Sequence, residues 1–355
     1  MKAIKKILKT LLIIIILAVT GFVGLIVYAI ITDYKPKEKE VVFTGEKTET
    51  LNDTMELSLL TWNIGYCGLD KDIDFFYDVG TKVFTPKAKC INNLLAVEKL
   101  LKQNDSTDFI FIQEIDKGSK RSYYINEYDS LTATLKNFSP FFAKNYDVFF
   151  VPVPPASPMG KVLSGLTTFS KYQPSSSARY SFPGKYGFPK KLFMLDRCFL
   201  VNRYPLKNGK ELVVINTHNE AFDPGEIRKA QMTYLKDFLL KEYNTGNYII
   251  TGGDWNQSPP DFKPDFPGNQ VNTTQMKMTS DYLPSEWKWI FDNRTPSNRT
   301  VIAAYNPSST TTTVIDFFLL SPNIGALSVK CLNLNFENSD HNPVVIKIRL
   351  KATKQ

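Results

Sequence analysis

The apolar positions of this chain fall into two regimes. Residues 11–31, LLIIIILAVTGFVGLIVYAII, are apolar without a polar face and carry no charge, and a helix of that length crosses a hydrocarbon core of about 30 Å. From residue 57 onward, apolar runs of strand length recur instead, and each ends in a polar residue on the face that carries the run's inward side chains. In LSLLTWN that face holds Leu57, Leu59, Thr61 and Asn63. In DFIFIQE the alternation aligns Ile110, Ile112 and Glu114, and in ELVVINTH it aligns Leu212, Val214, Asn216 and His218. Ile91, Leu94, Leu95 and Leu101 recur at helical spacing between the first two runs, and Ile227, Ala230 and Phe238 do so after the third. The order strand, helix, strand therefore occurs twice.

Residues 248–256, YIITGGDWN, read as a buried strand that turns sharply at Gly252 and Gly253 and presents Asp254 and Asn256 on a loop. Residues 313–320, TVIDFFLL, read as a strand with Asp316 at its middle, between Val314 and Phe318. An unpaired carboxylate there is costly, so Asp316 requires a cationic or hydrogen-bonding partner. The chain has two histidines, and the second, His341, belongs to Ser339-Asp340-His341 just before a closing strand at 343–350. Each polar strand end has a structural reading of its own: Asn63 as a turn former, Glu114 as a strand-end charge, His218 as a core imidazole, Asp340 as a cap. Taken together, the acids, amides and both histidines are the ingredients of metal-assisted phosphoester hydrolysis: oxygen ligands for a hard cation, an imidazole base, and donors for phosphoryl oxygens.

Charge and composition refine the organisation. Lys2, Lys5, Lys6 and Lys9 precede the apolar run, which favours a cytoplasmic N-terminus and a folded domain on the far side of the plasma (cytoplasmic) membrane. The expected division is a basic N-terminus at 1–10, an uncleaved transmembrane helix at 11–31, a polar tether at 32–56, a catalytic domain at 57–350 and a tail at 351–355. The formal charge of +8 permits an anionic substrate without demanding one. Cys67, Cys90, Cys198 and Cys331 show no CxxC spacing and read as small core residues, although an exported domain could pair two of them. Residues 152–160 and 175–191, with Tyr180, Phe182, Tyr186 and Phe188 among Lys185, Lys190 and Lys191, read as substrate loops or as aromatics packed onto the core. Arg121 and Arg197 are candidates for contacting an anion and are not assigned a catalytic role.

In ordered motifs the sequence resembles the endonuclease/exonuclease/phosphatase superfamily, which includes DNase I, bacterial sphingomyelinases and inositol polyphosphate 5-phosphatases. The motifs are Thr61-Trp62-Asn63-Ile64-Gly65, Gln113-Glu114, Thr217-His218, Gly253-Asp254-Trp255-Asn256, Ile315-Asp316 and Ser339-Asp340-His341-Asn342-Pro343. The resemblance implies an α/β (α+β) fold: a four-layer sandwich of two packed, mostly antiparallel β-sheets flanked by helices, here preceded by one transmembrane helix. It implies that Glu114 with Asn63, and Asp340 directly or through water, hold Mg²⁺ or Mn²⁺. His341, oriented by Asp316, would deprotonate the attacking water. Asp254 and Asn256 would hold the nucleophile and a phosphoryl oxygen, and His218 would stabilise the transition state or assist the leaving group. Gly65 stands where abasic-site nucleases of the superfamily place an acid, and His218 where they use Tyr, so the resemblance is to the branches with two histidines. Neither Gln257-Ser258 nor Thr312-Thr313 supplies the arginines usual in the 5-phosphatases. The expected partners are a phosphodiester substrate, either a membrane lipid or a nucleic acid, and the membrane itself through residues 11–31; no obligate protein partner is implied. A non-catalytic binding module on the same fold is the alternative from another class.

Overall fold

The computed structural model describes residues 2–46, 48–223, 225–266, 270–271 and 275–352; residues 353–355 of the expected tail lie outside the described residues. A long helix, α1 (Lys2–Thr32), is followed by β1 (Lys39–Thr44), β2 (Glu56–Asn63), α2 (Lys87–Gln103), β3 (Phe109–Asp116) and α3 (Glu127–Thr134). Then come β4 (Ser139–Val151), β5 (Gly160–Ser170), β6 (Ser176–Ser181), β7 (Cys198–Pro205), β8 (Glu211–His218), α4 (Glu226–Asn244) and β9 (Tyr248–Asp254). The chain closes with β10 (Gln270–Val271), β11 (Lys288–Ile290), β12 (Asn298–Arg299), β13 (Thr311–Thr313), β14 (Asp316–Leu320), β15 (Ile324–Cys331) and β16 (Val344–Leu350).

Two large sheets stack face to face. One has the order β1-β6-β7-β8-β9-β14-β11 and the other β15-β16-β2-β3-β5-β4, with a small third sheet, β10-β13-β12, near the cleft. Neighbours in the large sheets are antiparallel except β8/β9 and β2/β3, the two pairs joined by the crossover helices α4 and α2. Alternation sorts the side chains into layers. Leu57, Leu59, Phe109, Phe111, Leu212, Val214, Tyr248, Ile250 and Phe318 fill the space between the sheets. The opposite faces pack against helices: Leu60, Trp62, Ile110 and Ile112 beneath Leu94, Val97 and Leu101 of α2, and Val213, Ile215, Ile249 and Phe317 beneath Leu235 and Leu239 of α4. This is the four-layer sandwich, with all four cysteines free and buried in it.

Four local readings change. Residues 32–56 are not a simple tether, because β1 joins the large sheet antiparallel to β6 and Leu51 is buried with a bridge to Leu206. The edge of β6 offers unpaired backbone groups, and Val42 and Phe43 pack near Phe141 and Leu200, so a short β-prone stretch adds to it. Residues 313–320 are not one strand: β13 ends at Thr313 and β14 begins at Asp316, which therefore stands at a strand's mouth. The YIITGGD strand does not turn at its glycines but runs through them to Asp254. A Cβ on Gly253, whose φ is +141°, would lie 2.0 Å from the Thr217 carbonyl oxygen, so close approach of β8 and β9 is what the glycine serves. Finally, about a third of the expected loop 175–191 is strand β6, with Phe182 buried and Tyr180 stacked on Phe199.

The helix α1 is long and apolar enough to cross a membrane, and none of its residues is buried within the protein. Its last turns, at Leu25, Tyr28, Ala29 and Thr32, lie against residues 147–150 of β4 and Leu192, with the rings of Tyr28 and Phe149 4.6 Å apart.

Candidate active site

At one end of the sandwich the strand mouths of β2, β3, β8, β9 and β14 converge with the loop before β16 on a cleft of about 490 Å³. All eight residues singled out in the sequence meet here. Glu114, His218, Asp254, Asn256, Asp340 and His341 line the cleft, and Asn63 and Asp316 hydrogen-bond to that lining.

Each strand delivers its residue differently. The register of the parallel pair β8/β9 sets His218 opposite Asp254, and the antiparallel pair β9/β14 sets Asp254 opposite Asp316. Glu114 arrives by another route than simple alternation, since Ile110 and Ile112 face α2 and not the space between the sheets. A bulge in β3 between Gln113 and Ile115, with Glu114 at φ +55°, lets neighbouring side chains both turn inward. Gln113 then donates to Asn216 at 2.7 Å between the sheets, while Glu114 reaches the cleft.

The polar contacts form one connected net. The Asn63 amide donates to Glu114 at 3.2 Å and to Asp254 at 3.0 Å, and its carbonyl accepts the Gly65 N–H at 3.0 Å. Asn63 thus bridges two carboxylates through its nitrogen. The Asp254 carboxylate also accepts the Asn256 N–H at 2.9 Å, and the Asn256 side chain, at φ +52°, donates to the Asn219 carbonyl. His341 Nδ1 donates to Asp316 Oδ2 at 2.8 Å, and the Ser297 hydroxyl donates to the same oxygen at 2.8 Å. Trp62 Nε1 holds the His341 carbonyl, and Ser339 ties the Asn63 carbonyl and the His341 N–H together. His341 Nε2 then faces Asp254 and Asp340, each at 3.9 Å, and His218 Nε2 faces Asp254 at 3.4 Å and Glu114 at 3.9 Å.

These distances set opposite charges on the two imidazoles. Burial works against the charged form of His341, but the carboxylates of Asp316, Asp340 and Asp254 outweigh it and hold the ring well above its ordinary value. Burial, followed by the positive charges of Arg197, His341 and Arg121, holds His218 well below. Burial pushes Asp340 up to about 7, with His341 opposing and Glu114 adding to the rise. Asp254 is pushed up to about 6 by burial, with His341 opposing and Asp316 adding. Crowded carboxylates that resist ionisation are what a bound cation relieves. The donors available are mostly hard oxygens: Glu114, Asp340 and Asp254 line the cleft, Asp316 Oδ1 is buried without a partner, and Asp254, Asp316 and His341 bring ligand atoms within 4.8 Å of one another. The set therefore fits Mg²⁺ or Mn²⁺ better than a thiolate-seeking metal.

Sequence reasoning missed Asn298, which lies on the two-residue strand β12 and puts its amide 3.0 Å from His341 Nε2. Turned one way that amide accepts from the charged ring, and turned the other it donates to the neutral one. A strand of two residues carries no periodicity, so no sequence signal marked it. Apolar side chains also line the cleft, Leu69, Phe75, Tyr77, Met194, Leu195 and Val301, beside polar ones such as Asn145, Ser164, Arg197 and Thr300, and Val79, Phe222 and Ile302 are exposed at its edge, Val79 by 88%.

The comparisons with known proteins agree with this geometry. No curated protein sequence matches the chain. Among solved structures, an endonuclease/exonuclease/phosphatase from Beutenbergia cavernae aligns with a TM-score of 0.57 at 15% identity, covering 84% of this chain and 72% of that one. ANGEL2, described as a 2′,3′-cyclic phosphatase and solved with adenosine-2′,3′-vanadate, aligns at 0.54 and 14% identity over 90% of this chain and all of its own. TDP2 of D. rerio, complexed with a single-strand DNA product, aligns at 0.51 and 13% identity over 82% of this chain and 98% of its own. At such identities the likeness establishes the fold. The model of the Endonuclease/Exonuclease/phosphatase family matches residues 60–341, most of the chain and every residue of the site, so the chain belongs to this family of hydrolases acting on phosphoric ester bonds.

Proposed function

We infer that this protein is a membrane-anchored, Mg²⁺-dependent phosphodiesterase that hydrolyses a phospholipid or sphingolipid headgroup on the extracytoplasmic side of the plasma membrane. The observation that carries the reaction class is the His341–Asp316 pair facing carboxylates of raised pKa in the cleft. The apolar residues of the cleft lining and its exposed apolar edge support a lipid substrate, as does α1, whose last turns pack on Leu192, two residues before the cleft-lining Met194. An anchor beside the site raises the local concentration of bilayer substrates.

In this reading Glu114 and Asp340, with Asn63 holding Glu114 in place, would bind the cation, which supplies Lewis-acid polarisation of the phosphoryl group. In its neutral form His341 takes a proton from the attacking water as its oxygen bonds to phosphorus, and Asp316 stabilises the resulting imidazolium. Asp254 and Asn256 fix the water and a phosphoryl oxygen. His218, kept neutral by burial and its cationic neighbours, offers an N–H to the oxygen that gains charge as the ester bond breaks. The leaving oxygen takes a proton from solvent and the His341 imidazolium returns one to solvent, so both regain their starting forms.

A panel of sphingomyelin, glycerophospholipids, plasmid DNA, RNA and inositol phosphates, offered to the full chain in detergent micelles with and without Mg²⁺, tests this function. Metal-dependent release of a phosphorylated headgroup, absent in His341→Ala, is the expected result. Turnover of DNA or RNA alone would favour a surface nuclease, which the basic balance of the chain permits. Binding without turnover of any member would favour a non-catalytic module.

A further inference from the structure

The last turns of α1 touch one particular face of the folded domain. Leu25 and Tyr28 border a small recess together with Val148, Phe149 and Leu192, and the rings of Tyr28 and Phe149 lie 4.6 Å apart. The apolar run ends at Ile31, six residues beyond Leu25. A helix rises about 1.5 Å per residue, so Leu25 lies about 9 Å inside the end of that run. When α1 spans a bilayer, the surface that touches Leu25 and Tyr28 is therefore level with the interfacial layer.

The connection leaves the domain little room to swing away. Six residues, 33–38, separate α1 from β1, and β1 is paired in the large sheet. The Tyr34 hydroxyl donates to Glu40 at 2.7 Å, the Lys144 ammonium sits 3.7 Å from the centre of the Tyr34 ring, and the Ser181 hydroxyl donates to the Lys37 carbonyl at 2.7 Å.

The face held there carries exposed rings and basic charge. Phe149 is 53% exposed and Phe188 62%. The loop of Phe188 is tied to the turn that carries Leu192, since the Lys191 N–H donates to the Gly187 carbonyl at 3.1 Å and the Leu192 N–H to the Pro189 carbonyl at 3.0 Å. Nearby acids are largely neutralised: Asp147 pairs with Lys144 at 2.6 Å and Asp196 with Lys185 at 2.9 Å, while Asp33 borders the recess. Lys190 lies over the Tyr186 ring at 3.9 Å and Lys191 is exposed; neither forms an ion pair among the described residues. Rings beside lysines suit a lipid surface, where the apolar groups enter the interface and the ammonium groups reach phosphate oxygens.

We propose that residues 147–150 and 186–192 form a bilayer-contact face, with Phe149 and Phe188 entering the interfacial layer and Lys190 and Lys191 meeting anionic lipid headgroups. The proposal rests on the reading of α1 as a membrane span and not on turnover. It gives the cleft a fixed relation to the bilayer, because Met194 and Leu195, which line the cleft, follow the contact segment directly along the chain.

The test places the full chain in nanodiscs of phosphatidylcholine brominated along its acyl chains, with or without phosphatidylglycerol, and reads the quenching of tryptophan emission relative to wild type. Leu17→Trp, within α1, reports the span. Phe188→Trp reports the proposed face, and Leu327→Trp reports an exposed position on β15, at the opposite edge of the sheet from β4. Quenching of Leu17→Trp and Phe188→Trp but not of Leu327→Trp is the expected result. In phosphatidylglycerol discs, adding Lys190→Glu and Lys191→Glu to Phe188→Trp should reduce its quenching to the level seen in phosphatidylcholine alone. A quenched Leu17→Trp beside an unquenched Phe188→Trp overturns the contact face and leaves the anchor standing. An unquenched Leu17→Trp sinks the anchor and this proposal with it. Quenching of Phe188→Trp that ignores both phosphatidylglycerol and the charge reversal overturns the role given to the lysines.

Discussion

The two histidines of this chain share one cleft, and their rings face a common carboxylate, Asp254, yet the protein drives them to opposite charge states. His341 Nδ1 is bonded to Asp316 and the ring sees two further carboxylates, so its proton is held tightly. His218 is equally buried, but it has arginines behind it and no hydrogen bond at Nδ1, so its ring stays neutral. The difference lies in what stands behind each ring: an acidic strand mouth on β14, against a basic wall beside β7. One imidazole can therefore act as a base with a stabilised conjugate acid, and the other as a neutral donor in the same small volume.

That contrast can be broken at several points. The largest effect should come from the carboxylates of the cleft: chelation, or Glu114→Gln, should remove nearly all hydrolysis, with Mg²⁺ restoring the chelated wild type but not the variant. Full activity in chelator would remove the metal from the account. His341→Ala should lower kcat by about 10²–10⁴-fold, the range for loss of a general base. His218→Ala should cost about 10²–10³-fold, as for one lost oxyanion donor, and should leave the acidic limb of the pH profile where it was. A shifted limb in that variant would mean that the roles are exchanged. Smallest is the titration itself. A base works only when deprotonated, and Asp316 holds the His341 pKa up, so Asp316→Asn should lower that pKa and move the acidic limb of residual activity to lower pH.

Much of this was legible in the sequence because strand alternation is a local property. The faces of β2 and β8 could be read from Leu57 and Leu212 onward, Tyr248–Ile250 read as a buried strand, and the demand of Asp316 for a partner followed from its apolar neighbours. What failed was whatever depends on a departure from alternation or on a distant neighbour. Glu114 was placed in the site by the wrong parity: Ile110 and Ile112 face the helix, and a bulge invisible to periodicity turns Glu114 inward. Asp316 gained its strand-mouth position because the strand breaks at Val314 and Ile315. β1 is a strand only because the edge of β6 is there to receive it. Arg197 was noticed as a charge, but its burial 3.8 Å from Glu220 is a fact of three dimensions.

The central claim is that His341 and Asp316 act as one unit in deprotonating water. It is tested most directly by kcat for His341→Ala, Asp316→Asn and the double variant on one substrate at saturating Mg²⁺. If the pair is a unit, the double variant is scarcely slower than the slower single one, because the second change removes a function already lost. If instead the logarithms of the two single losses sum in the double variant, Asp316 serves some other group and the account of the site is wrong.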